Sequence, residues 1–361
     1  MLDVRYKEDI RYQIYKVFRY IKINICDLAS GIFLRSAILH LISRVLKPTF
    51  CLFLVSSFII HHSSLSIAHC ASYKIFPFEK KNVKGALLHI PDKDTWAYFY
   101  LPPTEHSALN TQRSVPLVLV LPILGGQNLW IEKKFAFALT KKGIAAVIVI
   151  GPEQFHRRSF MDISSGKLFL GRNPEILSKN FLQAKSELKS LISFIQEEDL
   201  APPLDRVNTE QIGILGISLG GILGSLTFAQ DKRIKCAAFL LAGADCAMIL
   251  AKGSLTRKII KTLGLDYDAL YPMLKDLDVE RIRRTSGDNI TDKRKTMIIH
   301  AIWDSIIPKT ARKKLEKAFP ASKITKLPAG HFTSIVFIGY IRAKAANFFK
   351  MRLAEDNTAE R

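Results

Sequence analysis

The run QIGILGISLGGILG at residues 211–224 constrains this chain more than any other stretch, because it sets a serine between glycines at a strand-to-helix corner. Residues 211–215 are short, apolar and bounded by polar residues, which predicts a buried strand. Residues 219–228 predict a helix rich in small residues. Ser218 falls at the junction in the pattern G-x-S-x-G, with Gly216 and Gly220 two positions to either side. A turn tight enough to stand the hydroxyl above a sheet holds the serine in a strained backbone conformation. Side chains two residues away would collide inside that turn, which is the physical reason for glycine at both places. Gly221 and Gly224 then let the helix lie close against the sheet.

A serine hydroxyl is a weak nucleophile at neutral pH, so Ser218 needs a base, and the base needs an acid to orient it. In the chain order Ser, Asp, His, both partners lie downstream at the ends of later strands. Residues 296–308, TMIIHAIWDSIIP, give an apolar strand over 297–302, followed by Asp304 and Pro308. Residues 323–334, KITKLPAGHFTS, give a short strand, a turn carrying His331, and a helix from about Thr333. Both residues therefore fall on loops past the C-terminal ends of strands, where side chains from a parallel sheet converge. Other readings stand beside these. Asp304 is also placed to cap the helix at Pro308, and His331 also fits an ordinary surface turn. Asp245, just after the strand at 236–242, is the alternative acid, and His300, inside its strand, reads as a core residue.

With these three segments in order, the chain over about residues 84–350 resembles an α/β-hydrolase of the esterase, lipase or dienelactone-hydrolase kind. The resemblance implies Ser218 as nucleophile, His331 as general base and then acid, and Asp304 as the group that fixes the imidazole tautomer. It also implies an oxyanion hole after the third strand. Residues 117–126, LVLVLPILGG, supply a strand and a Gly125–Gly126 turn. The expected backbone donors are the N–H of Leu124 (Ile123 if the register slips by one) and the N–H of Leu219. No cofactor or metal is implied. One departure is Ala301, in a region where the acid loop of such proteins often carries glycine.

The scaffold reads as α/β: a mostly parallel eight-stranded sheet flanked by helices. A hairpin at 84–90 and 95–101 precedes strands at 117–121, 144–150, 211–215, 236–242, 297–302 and 323–327. Helices are expected near 130–142, 176–197, 219–229, 309–319 and 333–353. Near-continuous apolar strands such as IAAVIVI at 144–150 require burial on both faces. Two segments exceed the minimal alternation. Residues 152–175 form a long connection in which His156, Arg157 and Arg158 could meet an anionic substrate group or simply line a solvated loop. Residues 246–295 hold two or three helices, a cap insertion whose apolar positions recur at helical spacing.

The first 72 residues read as a separate membrane-targeting region, leaving 73–361 as the hydrolase domain. Residues 49–60, TFCLFLVSSFII, are as long as a signal-peptide core and, extended to 68, just long enough to span a bilayer. Residues 31–46 suit an amphipathic helix lying in a membrane surface. A lipid-attachment box ending at Cys70 is spoiled by His69. Basic residues flank the apolar run almost symmetrically, and the uncharged stretch after it favours an extracytoplasmic catalytic domain. The net charge of +21, of which +5 falls in residues 1–72, accompanies no nucleic-acid-binding module. It suits attraction to anionic lipid headgroups or a generic lysine-rich surface. The expected activity is hydrolysis of a small-molecule carboxylic ester, with lipid-like or medium acyl chains favoured. The alternatives are a peptidase or acyltransferase with the same residues, or a membrane-anchored binding protein without catalysis.

Overall fold

The computed structural model describes residues 68–355, apart from 71–72, 81–82, 92–93, 104–114, 161, 172, 199 and 286–294. The apolar run at 49–60 and the amphipathic segment at 31–46 lie outside the described residues, and the chain divides into two units after Ser66. Among the described residues, no helix is long and apolar enough to cross a membrane.

Ten strands form one mixed sheet: β1 (Ala68–Cys70), β2 (Tyr73–Lys80), β3 (Val83–Ile90), β4 (Thr95–Tyr100), β5 (Val115–Leu121), β6 (Ala145–Ile150), β7 (Val207–Ile217), β8 (Ile234–Leu240), β9 (Lys295–Ala301) and β10 (Lys323–Leu327). Their spatial order is β1-β2-β3-β4-β6-β5-β7-β8-β9-β10. The pairings from β1 through to β6 are antiparallel, and those from β6 to β10 are parallel. The eight-stranded expectation is therefore corrected. The two additional strands among the described residues, β1 and β2, pair outward from the predicted hairpin. Pro77 and the interspersed lysines of YKIFPFEK mask the strand character of β2 in the sequence.

Alternation along the strands fills two cores. Leu117, Leu119 and Leu121 of β5 face one, while Val118 and Val120 face the other; Val147 and Ile148 of β6 divide likewise. The helices α1 (Trp130–Thr140), α2 (Pro174–Glu197) and α3 (Leu219–Gln230) follow β5, β6 and β7 respectively. The insertion between β8 and β9 folds as α4 (Cys246–Lys252), α5 (Arg257–Thr262), α6 (Tyr267–Leu274) and α7 (Val279–Thr285). After β9 and β10 come α8 (Lys309–Ala318) and α9 (Ile338–Glu355). Helices α1 and α9 cover one face of the sheet, and α2, α3 and the insertion cover the other.

The strand order decides where chemistry can happen. From β5 the chain steps to β6 on one side, then returns to place β7 on the other, so a crevice opens beyond the C-terminal ends of β5 and β7. Leu121 is paired with Gly216, which puts the loop after β5 directly beside the turn after β7.

Candidate active site

Ser218 stands between β7 and α3 with φ 53° and ψ −113°, a left-handed conformation rare for a residue with a side chain. The surroundings enforce it. The Ser218 N–H donates to the Leu240 carbonyl at 2.8 Å, continuing the β7–β8 ladder to the last residue before the helix. A Cβ at Gly216 would lie well inside 3.0 Å of the Gly220 carbonyl oxygen, and one at Gly220 equally close to that of Leu121. The flanking glycines are thus dictated by backbone-to-backbone approach.

His331 and Asp304 complete a hydrogen-bonded line with this serine. Ser218 Oγ lies 2.9 Å from His331 Nε2, and His331 Nδ1 lies 2.7 Å from Asp304 Oδ2. Asp304 is buried, and its second oxygen, Oδ1, accepts the N–H groups of Ile306 and Ile307 at 2.9 Å each. Those two bonds and the one to histidine leave the carboxylate a single orientation. An ionised acceptor at Oδ2 fixes the imidazole proton on Nδ1, so Nε2 is the lone-pair nitrogen that faces the hydroxyl. Asp304 does not cap the helix that follows, since α8 begins at Lys309 behind Pro308 with no side-chain cap bond; one oxygen serves the loop and the other the imidazole.

Asp245 is placed elsewhere. Its Oδ1 caps α4 by accepting the Met248 N–H at 2.9 Å, and its Oδ2 accepts from Lys314 Nζ at 2.5 Å and from the Tyr267 hydroxyl at 3.0 Å. Asp278 shares the same ammonium at 3.1 Å. Burial lowers the Lys314 pKa, but hydrogen bonds to the two carboxylates and their charges outweigh it and hold the pKa above its ordinary value. The alternative acid is thus committed to a buried ion cluster at the base of the insertion. His300 is buried in β9, where burial and the nearby Arg312 lower its pKa to about 4. It is a neutral core residue near neutral pH.

The loop after β5 offers one of the two backbone donors considered for it. The Ile123 N–H is already donated to Glu132 Oε1 at 3.1 Å, so the register alternative at Ile123 is spent, and Leu124 carries the N–H expected to face the serine. Leu219 opens α3, where N–H groups lack intrahelical acceptors. The connection after β6 braces this loop. The Gly125 N–H donates to the Ser165 carbonyl at 2.8 Å, the Ser165 side chain accepts the Phe155 N–H, and Gln154 Nε2 reaches the Ile123 carbonyl at 3.5 Å. Arg157 and Arg158, for which the sequence left open a substrate anion or a solvated loop, are spent on the scaffold. Arg157 forms a fork with Glu187 at 2.7 and 3.0 Å, and Arg158 donates to the Phe155 and Ile163 carbonyls. His156 packs edge-on against Trp96.

Glu132 was not foreseen. It is buried in the first turn of α1, its Oε2 has no hydrogen-bond partner, and burial raises its pKa. A signal was present: in WIEKKFAFALT, Glu132 shares the helical face of Phe135, Ala136 and Leu139, all buried. A carboxyl at a core position is costly unless it holds something, and here it holds the backbone N–H of Ile123.

A scan against protein-family models finds no match, and a search of curated proteins finds no relative. Solved structures are similar in fold. Acetyl xylan esterase 1 from Thermoanaerobacterium sp. JW/SL YS485 superposes with a TM-score of 0.53 at 15% identity, over 80% of this chain and 88% of that one. The S-formylglutathione hydrolase of Agrobacterium tumefaciens gives 0.50 at 15% identity, over 80% and 98%. An acetyl xylan esterase from Paenibacillus sp. R4 gives 0.50 at 14% identity, over 83% and 95%. At such identities the likeness carries architecture alone, and it agrees with the strand order and the serine turn: this chain has the α/β-hydrolase fold.

Proposed function

We propose that this protein is a serine hydrolase of carboxylic esters, and that Ser218, His331 and Asp304 carry the reaction. The observation behind the proposal is the continuous line from Ser218 Oγ through His331 to Asp304, with spacings of 2.9 and 2.7 Å. As Oγ attacks an ester carbonyl, His331 Nε2 takes its proton, and Asp304 stabilises the imidazolium that forms. The oxyanion develops beside the N–H groups of Leu124 and Leu219, each contributing about 3 kcal/mol to lowering the barrier. His331 then protonates the departing alcohol, leaving an acyl-serine. Water activated by the same nitrogen releases the acid. The fold admits acyl transfer and amide cleavage by the same groups.

A lipid-like or medium acyl chain is the preferred substrate in this proposal, and membrane targeting by residues 49–60 accompanies it. The exposed Trp303 and Phe332, next to Asp304 and His331 in the chain, favour such a chain. The test is hydrolysis of p-nitrophenyl esters from two to twelve carbons, beside Ser218→Ala and His331→Ala. Turnover lost in both variants supports the mechanism. A maximum at acetate overturns the chain-length preference. Absence of turnover, together with absence of Ser218 labelling by a fluorophosphonate, overturns the esterase reading. Fractionation of cells expressing the full chain, with and without residues 1–66, tests the targeting.

A further inference from the structure

The mouth of the site is surrounded by apolar side chains that the fold leaves in solvent. Trp303 precedes Asp304 and Phe332 follows His331, so the residues that position the reacting groups are flanked by two exposed aromatics. Trp303 and Phe332 are 68% and 71% exposed, leaving about 300 Å² of aromatic surface in water. That is already the scale of the largest apolar patch on a typical monomer. Backbone pairing joins the two loops that carry them, since Trp303 N–H donates to the Ala329 carbonyl two residues before His331. Ile335, Val336 and Tyr340 extend the surface along the turn that follows Phe332. Leu255 joins from the insertion, because Ser254 is bonded to Ser305 through both backbone and hydroxyl. Ile259 in α5 and Leu263 just past its end are exposed too.

The charge beside this surface is predominantly positive, with Asp266 and Asp268 lining the same concavity as the basic residues of the insertion. Lys252, Arg257, Lys258 and Lys261 are exposed on the same insertion, and residues 246–264 contain no Asp or Glu. The first exposed carboxylates beyond them, Asp266 and Asp268, lie past Leu265, and Asp266 caps α6. Lysine is depleted at the centre of protein–protein interfaces. Tryptophan and tyrosine beside aliphatic side chains, edged by lysine and arginine, suit the boundary between headgroups and acyl chains.

We propose that this face docks the protein onto an anionic lipid surface. Trp303, Phe332, Val336, Leu255 and Ile259 enter the headgroup boundary, and Lys252 and Lys258 lie against the anionic headgroups. The opening to Ser218 then faces the lipid, and an ester held there reaches the serine without crossing water; this last consequence rests on the esterase reading, whereas the docking does not.

The full chain tests the proposal by tryptophan quenching in vesicles with brominated acyl chains, phosphatidylglycerol–phosphatidylcholine against phosphatidylcholine alone. Trp303→Phe isolates the contribution of Trp303 from those of Trp96 and Trp130. Quenching that depends on Trp303, weakens at high salt and falls about tenfold in vesicle affinity with Ile259→Asp or Val336→Asp supports docking. Both of those variants change exposed side chains, so hydrolysis of soluble p-nitrophenyl acetate stays within about twofold of the parent. Vesicle binding without Trp303-dependent quenching overturns the proposal and assigns the contact to another segment, such as residues 49–60. Self-association abolished by Val336→Asp, with no quenching, also overturns it in favour of a second copy. Quenching retained in a chain without ester hydrolysis overturns only the esterase reading.

Discussion

Replacing Asp304 by asparagine separates the two duties of that side chain. Oδ1 accepts the Ile306 and Ile307 N–H groups, and asparagine keeps an oxygen there. Oδ2 faces His331 Nδ1 at 2.7 Å, and in the variant an NH₂ group takes its place. Two donors cannot share that bond, so the imidazole shifts its proton to Nε2 and loses the lone pair that would accept from Ser218. The expected loss in kcat is about 10⁴-fold, equivalent to about 5.5 kcal/mol of transition-state stabilisation. Thermal stability changes little, because the loop bonds survive. Asp304→Ala loses activity as well, but it also strips two buried N–H groups of their acceptor, at about 1–3 kcal/mol each. Steady-state hydrolysis of p-nitrophenyl acetate, read beside the unfolding midpoint, distinguishes the variants. An Asp304→Asn enzyme within tenfold of the parent kcat refutes this reasoning. So does Asp245→Asn with an equal loss of kcat, since Asp245 is engaged with Lys314 and Tyr267 rather than His331.

Gly216→Ala brings a methyl group against the Gly220 carbonyl, so we expect loss of soluble folded protein, or a destabilisation of about 3 kcal/mol with no Ser218 labelling, in expression and fluorophosphonate assays. Lys314→Met leaves Asp245 and Asp278 buried without their shared cation and costs about 3–5 kcal/mol in chemical denaturation; adding Asp245→Asn and Asp278→Asn recovers much of it. His300 has its pKa lowered from 6.5 to about 4, so the unfolded chain takes up the proton first as the pH falls. Its contribution to stability is complete above pH 6.5 and is lost progressively down to about pH 4. The ceiling is about 3 kcal/mol. Denaturation of His300→Leu across that window shows a flatter pH dependence; an unchanged slope assigns the acid sensitivity to other groups.

Local rules made much of this protein legible before any coordinates. Strands β5, β6, β8 and β9 announce themselves as apolar runs, because burial on both faces leaves no polar alternation. Ser218 is legible because the strain of its turn demands glycine two residues away on each side. Asp304 and His331 follow from chain order and their positions just past strand ends. What escaped was built from partners distant in sequence. The outer strands β1 and β2 exist because β3 offers an edge to pair with, which no local pattern in YKIFPFEK announces. Arg157 reads as a free cation until Glu187, thirty residues on, is folded against it.

The amino-acid sequence by itself determined the serine turn, the apolar runs of the central strands, and the order in which Ser218, Asp304 and His331 follow strand ends. These depend on steric and hydrophobic rules that act within a few residues. Only the tertiary structure set Asp304 rather than Asp245 beside His331, gave the Ile123 N–H to Glu132, and tied the Leu255 segment to the Asp304 loop through Ser254 and Ser305. Each of those outcomes depends on which strand ends lie beside one another, and that is fixed by the packing of the whole sheet.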